Sequence, residues 1–344
     1  MAFKTQIYFF LFYASICGAQ DKSSLTGVIT DAETGEKLPY VNVFLANTTI
    51  GDASDSAGVY LLERIPGGAY EAVFSRIGYE LHIMPIQLAE EALTYNVALH
   101  VKPIEGAEVL VEAPAPDVWN DMFYEFSNNF IGTSSRAKKC NILNPEVLNL
   151  TREPGSNALL AATDSVLLIR NETLGYDIRV VLTYFRWLGE NGNYVIYPQF
   201  SDVAFANERI KKRCYKERQK LFRRSLRCFL SCLARFDIPR TYSLRIYTTN
   251  PRPGYKPLDK KDLRLMLKRP PVDEALRRFE STRTIRVEHE MDMSASFFKL
   301  NYGYIDINQF GNFSPMDGLT LSGYWGTLRL ADTLPVDYWP EGIN

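Results

Sequence analysis

The sequence predicts an N-terminal all-β sandwich of about seven strands followed by a C-terminal α+β domain. Three observations carry this reading. Turn-forming clusters punctuate residues 27–79 at short intervals, and the apolar runs between them alternate at period two. Beyond residue 117, helical and strand patterns mix without a βαβ rhythm.

Within the first part, Val41-Asn42-Val43-Phe44-Leu45 and Tyr70-Glu71-Ala72-Val73-Phe74 alternate as half-buried strands do. Asp31-Ala32-Glu33-Thr34-Gly35, Asp55-Ser56-Ala57-Gly58 and Pro66-Gly67-Gly68 separate the runs. Aspartate folds back on its own backbone, glycine supplies φ > 0 and proline presets φ, so each cluster has a mechanical reason to turn. Asp31, Asp52 and Asp55 are therefore read as turn formers rather than calcium ligands, since a hard cation wants about 6–8 oxygens from a tight loop.

The ordered set Gly27-Val28-Ile29-Thr30-Asp31, Gly35-Glu36-Lys37-Leu38-Pro39-Tyr40-Val41-Asn42-Val43, Gly51, Asp55-Ser56-Ala57-Gly58-Val59-Tyr60, Ile65-Pro66-Gly67-Gly68-Ala69-Tyr70 and Ile77-Gly78-Tyr79 resembles the carboxypeptidase regulatory-like domain. That family is a transthyretin-like β-sandwich common in Bacteroidota envelope proteins, including N-terminal extensions of TonB-dependent transporters. The resemblance spans residues 24–104. It implies a structural or interaction module without an active site, and no zinc carboxypeptidase unit follows it.

Lys4 precedes the apolar run Ile7-Tyr8-Phe9-Phe10-Leu11-Phe12-Tyr13-Ala14, and Cys17-Gly18-Ala19 offers small residues for cleavage. Residues 1–19 are thus expected to be a signal peptide, with the mature chain starting at Gln20 or Asp21. The protein is expected to be exported, in the periplasm or associated with the outer membrane. A lipid anchor at Cys17 is not expected, because Ile16 stands where a small residue is required. No later stretch reaches the roughly 18 apolar residues of a spanning helix. The ending Pro340-Glu341-Gly342-Ile343-Asn344 lacks the terminal aromatic typical of outer-membrane barrel strands, so a barrel is not favoured.

Residues 105–117 read as a linker and 118–344 as the α+β domain. A helix is expected at Trp119 to Ile131, then strands at Ala158 to Ile169 and Leu174 to Leu188. Glu190-Asn191-Gly192-Asn193 should turn the chain into Tyr194 to Phe205. One helix is expected from Asn207 to Arg235, with Ile210, Cys214, Leu221, Phe222, Ser225, Phe229, Cys232 and Leu233 near one face. Strands are expected at Tyr242 to Thr248, Thr284 to Glu288, Phe297 to Tyr304 and Leu319 to Leu330. A Pro-rich loop (Asn250 to Pro257) and a short helix (Asp259 to Leu267) lie between the first two. Cys140-Asn141-Ile142-Leu143-Asn144-Pro145, Asn171-Glu172-Thr173-Leu174-Gly175-Tyr176, Arg224-Ser225-Leu226, Gly323-Tyr324-Trp325 and Leu334-Pro335-Val336-Asp337-Tyr338 resemble the region behind the same regulatory-like domain in uncharacterised Bacteroidota proteins. This implies a shared architecture and brings no activity.

Catalytic motifs do not assemble. Gly311-Asn312-Phe313-Ser314-Pro315 lacks the second glycine of a nucleophile elbow, and its proline has no N–H for an oxyanion. His289-Glu290-Met291-Asp292 lacks a second histidine. The pair Asp259/Asp262 would suit a glycosidase only at a spacing that sequence does not reveal. Cys228 and Cys232, at i and i+4, are expected to be buried small apolar side chains. Cys140, Cys214 and His82, His100, His289 supply no zinc-ligand spacing, so no metal or cofactor is expected.

Charge is more informative. Residues 20–125 carry 17 acidic and 5 basic side chains, whereas residues 126–344 carry 23 acidic and 33 basic. Between Glu208 and Arg235, eleven basic residues face two acidic ones. Lys211, Lys212, Arg213, Lys216, Arg218, Lys220, Arg223, Arg224 and Arg227 are read as the polar surface of that helix. All but Arg218 are taken as a candidate surface for an anionic ligand. Such a face is a solvated helix side, a dock for the acidic sandwich, or a contact for anionic lipid or polysaccharide; nucleic acid is not expected after export. The functional reading is a non-catalytic envelope binding or scaffolding protein, with an envelope protein, anionic lipid or polysaccharide as partner. The alternatives are an envelope hydrolase acting on glycan or peptide, and an accessory of a TonB-dependent uptake system.

Overall fold

The computed structural model describes residues 23–88, 92–103, 115–163, 165–236, 244–249, 254–270, 276–289, 294–315 and 317–341. The expected signal peptide, Cys17, most of the linker and the first half of the Pro-rich loop lie outside the described residues, and the end of that loop, Tyr255–Pro257, is a strand.

Eight short strands build the N-terminal sandwich: β1 (Ser23–Asp31), β2 (Asn42–Leu45), β3 (Gly51–Ala53), β4 (Val59–Ile65), β5 (Gly68–Ser75), β6 (His82–Leu88), β7 (Leu93–Thr94) and β8 (Val97–Leu99). One sheet places β1 between β4 and the parallel pair β7 and β8; the other runs β3-β2-β5-β6. Leu25, Ile29, Val43, Tyr60, Tyr70 and Phe74 fill the space between them. The turn aspartates act locally. Asp31 accepts from the N–H groups of Glu33 (2.8 Å) and Thr34 (2.9 Å), and Asp55 from those of Ala57 and Val59 (both 2.8 Å).

In β2 and β5 both faces are buried rather than one. Phe44 and Val73 point away from the sandwich core and pack with Ala46 against Leu81, Val181 and Tyr197. The outer face of this sheet is therefore an internal joint, and its side chains are apolar for that reason.

The next unit opens with α1 (Pro116–Phe130), whose first turn holds Pro116 at a position where the missing N–H costs nothing. The helix thus begins inside the segment expected to be linker. Strands β9 (Cys140–Ile142), β10 (Leu148–Arg152), β11 (Leu159–Thr163), β12 (Leu167–Asn171), β13 (Tyr176–Leu188) and β14 (Asn191–Asp202) form a six-stranded sheet. Residues 158–169, expected as one strand, are two. Phe126 and Phe130 of α1 pack on Phe185 at ring separations of 4.8 and 6.3 Å.

The hairpin between β13 and β14 forms, but its turn is not Asn191-Gly192. Leu188 pairs with Asn191 and Trp187 with Gly192, so the two-residue turn is Gly189-Glu190, with Gly189 at φ +59°. Gly192 is needed for a different reason: a Cβ there would come within 2.3 Å of the Trp187 ring.

The expected single helix is two, α2 (Glu208–Arg223) and α3 (Leu226–Ala234). Ser225 separates them. It leaves helical geometry at ψ 154°, its hydroxyl accepts from Cys228 N–H (3.1 Å), and that capping bond starts a new helix. Cys228 and Cys232 are buried, as expected, and among the described residues neither they nor Cys140 and Cys214 form a disulfide.

The last unit comprises β15 (Leu244–Thr249), β16 (Tyr255–Pro257), α4 (Lys260–Met266), β17 (Leu267–Lys268), β18 (Arg277–Glu280), β19 (Ile285–His289), β20 (Ala295–Leu300), β21 (Tyr304–Ile307), β22 (Phe313–Ser314), β23 (Leu319–Gly323) and the short α5 (Tyr324–Thr327). They form two sheets, β16-β15-β19-β20-β23 and β17-β18-β21-β22, which share a core with Phe229 and Leu233 of α3 and Leu263 of α4. Two expected strands are interrupted. Phe297 to Tyr304 turns at 301–303, so its two ends serve different sheets, and Leu319 to Leu330 stops at Gly323, whose φ of +67° ends the extended run.

From Leu328 onward the chain returns across all three units as a strap. Ala331 N–H donates to Ile131 O (3.1 Å) in the middle unit, and Val336 N–H donates to Asn47 O (2.7 Å) in the sandwich. Thr49 N–H donates to the Asp337 carboxylate (3.0 Å), while Arg227 of α3 donates to Pro335 O (2.7 Å).

Candidate functional surface

Helix α2 is amphipathic in an unusual way, with an apolar stripe on one side and cations on most of the rest. Asn207 caps it by accepting from Ile210 N–H (3.0 Å), and Lys220 and Arg223 lie in the last turn, where the helix dipole favours positive charge. Cys214, Leu221 and Phe222 face inward.

On the opposite side stand Arg209, Lys212, Arg213, Lys216, Lys220 and Arg223, all exposed. At 100° per residue these six fall within an arc of about 100°, and the ridge runs about 21 Å along the helix. Arg209 was not among the residues singled out from sequence, although its i, i+3, i+4 spacing to Lys212 and Arg213 is the signal that includes it. Two carboxylates flank the ridge: Glu217 takes Lys220 at 2.5 Å, and Glu208 takes Lys211 at 3.9 Å.

The remaining candidates lie elsewhere. Lys211 is half-buried on the flank and lines a cleft with Lys212 and Lys216. Arg224 turns its guanidinium over Tyr324 (4.5 Å) and donates to Ser294 (3.2 Å). Arg227 points into the junction of the strap and α3 and donates to the carbonyls of Pro335 and Tyr338. Burial pulls its guanidinium down to about 10, against the opposing charge of Asp337.

Arg218 corrects the sequence reading most. Its side chain is 2% exposed, donates to Leu174 O (2.6 Å) and Gly175 O (2.8 Å), pairs with Asp202 (2.6 Å), and lies 3.6 Å above the Tyr176 ring. It is an internal clamp between α2 and the start of β13.

The cleft beside the ridge is about 800 Å³ and is shared by α2, the strap and the sandwich hairpin, with Tyr215, Tyr338, Trp339, Asp202, Asp337 and Thr49 among its walls. The acidic sandwich does not dock on the ridge. It reaches the rest of the protein through the apolar joint at Phe44 and through backbone bonds, Asn47 N–H to Pro198 O (2.7 Å) and Phe200 N–H to Thr48 O (2.9 Å).

The residues considered for catalysis hold structural positions. Asp259 and Asp262 form a capping box at the start of α4, Asp262 N–H donating to Asp259 (2.8 Å) and Asp259 N–H to Asp262 (3.3 Å). His289 is buried with its ring edge-on to Tyr324. Ser314 lies in β22, paired with Asp306.

Residues 25–111 match the family model of the CarboxypepD_reg-like domain, a span that holds the turn motifs and the two facing sheets. The sandwich is a CarboxypepD_reg-like domain. Among curated proteins none matches the chain significantly. Solved structures overlap it in part. BcpA, the major pilin subunit of Bacillus cereus, is 15% identical over 24% of this chain and 30% of its own length, with a TM-score of 0.22. A type II cohesin–X-dockerin complex from Acetivibrio cellulolyticus is 16% identical over 34% of this chain and 79% of its own, with a TM-score of 0.21. A protein of unknown function from Bacteroides fragilis is 15% identical over 54% and 83%, with a TM-score of 0.19. The chain thus spans about a third of the pilin subunit. No conclusion about function passes from these partial overlaps. No helix among the described residues is long and apolar enough to cross a membrane.

Proposed function

We propose that this is a non-catalytic, exported envelope protein whose CarboxypepD_reg-like domain and strap fix the orientation of α2, and whose cationic ridge binds closely spaced anionic groups of the envelope. The observation that carries the reading is the six-residue ridge itself. Its cations share one exposed face, and among the described residues Lys220 alone of the six is paired with a carboxylate, that of Glu217. The apolar side of α2 is already used against the protein interior, so the helix has nothing with which to enter a bilayer. Contact is therefore electrostatic and made at the level of phosphate or carboxylate groups. Each cation near an anionic surface contributes about 1 kcal/mol, and the attraction falls off within a Debye length, about 10 Å at 0.1 M salt. The leader-like N-terminus and the CarboxypepD_reg-like domain support the envelope location.

Co-sedimentation with vesicles tests the proposal. The protein is expected to pellet with vesicles rich in anionic phospholipid and not with zwitterionic ones, and to be released at about 0.5 M salt. Replacing Lys212, Arg213, Lys216 and Lys220 by Gln should weaken binding about a hundredfold or more. A soluble acidic polysaccharide should compete, since the ridge reads charge spacing rather than lipid chemistry. Binding that ignores salt, or that survives the four replacements, rejects the ridge as the binding surface.

A further inference from the structure

Where the sandwich, the α2–α3 corner and the strap meet, they leave a cavity of about 310 Å³. Its walls are mostly apolar, with Leu221, Phe222 and Leu230 from the helices, Phe313 from β22 and Leu334 and Val336 from the strap. An apolar cavity of about 150 Å³ stays dry and accepts a benzene, so one twice as large has room for a medium-length alkyl chain.

The polar wall residues include Asn47, Glu71, Asn312 and Asp332, with Arg227 as the cation among them. Arg227 lies with its guanidinium 5.0 Å from the Phe222 ring, and its two bonded acceptors, the carbonyls of Pro335 and Tyr338, are neutral. A guanidinium carries five N–H donors, so these bonds leave most of them unused. Among the described residues no carboxylate forms an ion pair with Arg227. Asp337, the acidic group with the largest influence on it, is held by the backbone and hydroxyl of Thr49. Arg227 is only partly buried, and among the described residues no carboxylate counter-ion is in direct contact with its guanidinium. The two wall carboxylates do not fill the role. Asp332 is bound to Arg136 (2.8 Å) and Ser134 (3.1 Å), and burial pushes Glu71 towards its neutral form.

We propose that this cavity is a binding site for an amphiphile with an anionic head, of the fatty-acid class, whose alkyl chain fills the apolar volume and whose carboxylate pairs with Arg227. The site is separate from the ridge, because its lining residues face inward at the junction while the ridge faces outward. The carboxylate would take the N–H groups that the two carbonyls leave open, and the chain would replace empty space between Leu230, Phe313 and Leu334.

Isothermal titration of the whole protein with straight-chain carboxylates, below their micelle concentrations, tests this. One saturable site is expected, with affinity rising about fourfold per methylene from hexanoate towards decanoate and then levelling as the cavity fills. Decyltrimethylammonium, with the same chain and opposite charge, should bind at least tenfold more weakly than decanoate. Ala69→Phe, which places a ring into the cavity, should weaken decanoate at least tenfold, and the four-Gln ridge variant should bind it like the parent. Absence of a saturable site, equal binding of the cationic amphiphile, or undiminished binding to a folded Ala69→Phe protein would overturn the proposal. The chain-length and head-group series on the parent protein decide the matter even if Ala69→Phe does not fold. Decanoate binding lost in the ridge variant alone would assign it to the ridge and equally overturn the cavity.

Discussion

Asp31 gathers hydrogen bonds from Thr34 N–H, Glu33 N–H and the Tyr79 hydroxyl, and these hold its carboxyl below the ordinary 3.8. All of them favour the charged form, so the folded chain binds this proton more weakly than the unfolded one. The stability that Asp31 contributes is complete above 3.8 and is lost as the pH falls below it towards the lowered folded value. Urea midpoints measured across this range should therefore fall more steeply in the parent than in Asp31→Asn, whose amide oxygen still accepts but does not titrate. Parallel pH profiles would reject this. The turn role of Asp31 was legible because its partners are two and three residues away. The role of Arg218 was not. Its partners Leu174 and Gly175 lie more than forty positions upstream, and a lysine- and arginine-rich helix gives no local sign of which cation turns inward.

At the scale of elements, the period of the apolar side chains located the α2–α3 region correctly and missed its division. Leu221 of α2 enters the core of the middle unit, and Phe229, Leu230 and Leu233 of α3 enter that of the last. The apolar spacing nonetheless runs on across the break, because periodicity does not record which core a side meets. Ser225 makes the break, since its hydroxyl accepts from Cys228 N–H and donates to Phe222 O (2.7 Å). Ser225→Ala should cost about 1 kcal/mol, read as a lower urea midpoint with an unchanged slope, and no loss would mean that packing alone starts α3. The hairpin of β13 and β14 teaches a related lesson. Asn191-Gly192 is a strong local turn signal, yet the flat Trp187 ring opposite claims the glycine, and Gly189 supplies the positive φ instead. The two interrupted strands of the last unit follow the same logic, because neither 301–303 nor Gly323 disturbs the apolar pattern of its run.

At the scale of the whole molecule, the strap converts three cores into one body. Its contacts with the sandwich include Val336 N–H on Asn47 O and the Asp337 carboxylate on Thr49, and it packs Leu334, Tyr338 and Trp339 over Phe222, Cys228 and Cys232. A hydrogen bond to a charged group is worth about 1.5–3 kcal/mol, so Asp337→Ala should let this joint open far more often. In native-state hydrogen exchange the amides of Thr49 and Val336 should then exchange about tenfold faster or more, while those of β13 and β14 keep their protection. Unchanged exchange at Val336 would show that apolar packing, not Asp337, holds the strap.

By itself the sequence determined the sandwich, because its turns and alternation are local, and it determined that α2 would carry a cationic face, because helical spacing is local too. The family resemblance rested on the same local features. Only the tertiary structure decided which cations remain on that face. Arg218 and Arg227 leave it for backbone carbonyls that the fold brings near, Pro335 and Tyr338 being more than a hundred residues from Arg227. The strap, the cleft and the apolar cavity are likewise products of contacts between distant segments. Periodicity records which side of an element is apolar, and it carries no information about what that side will meet.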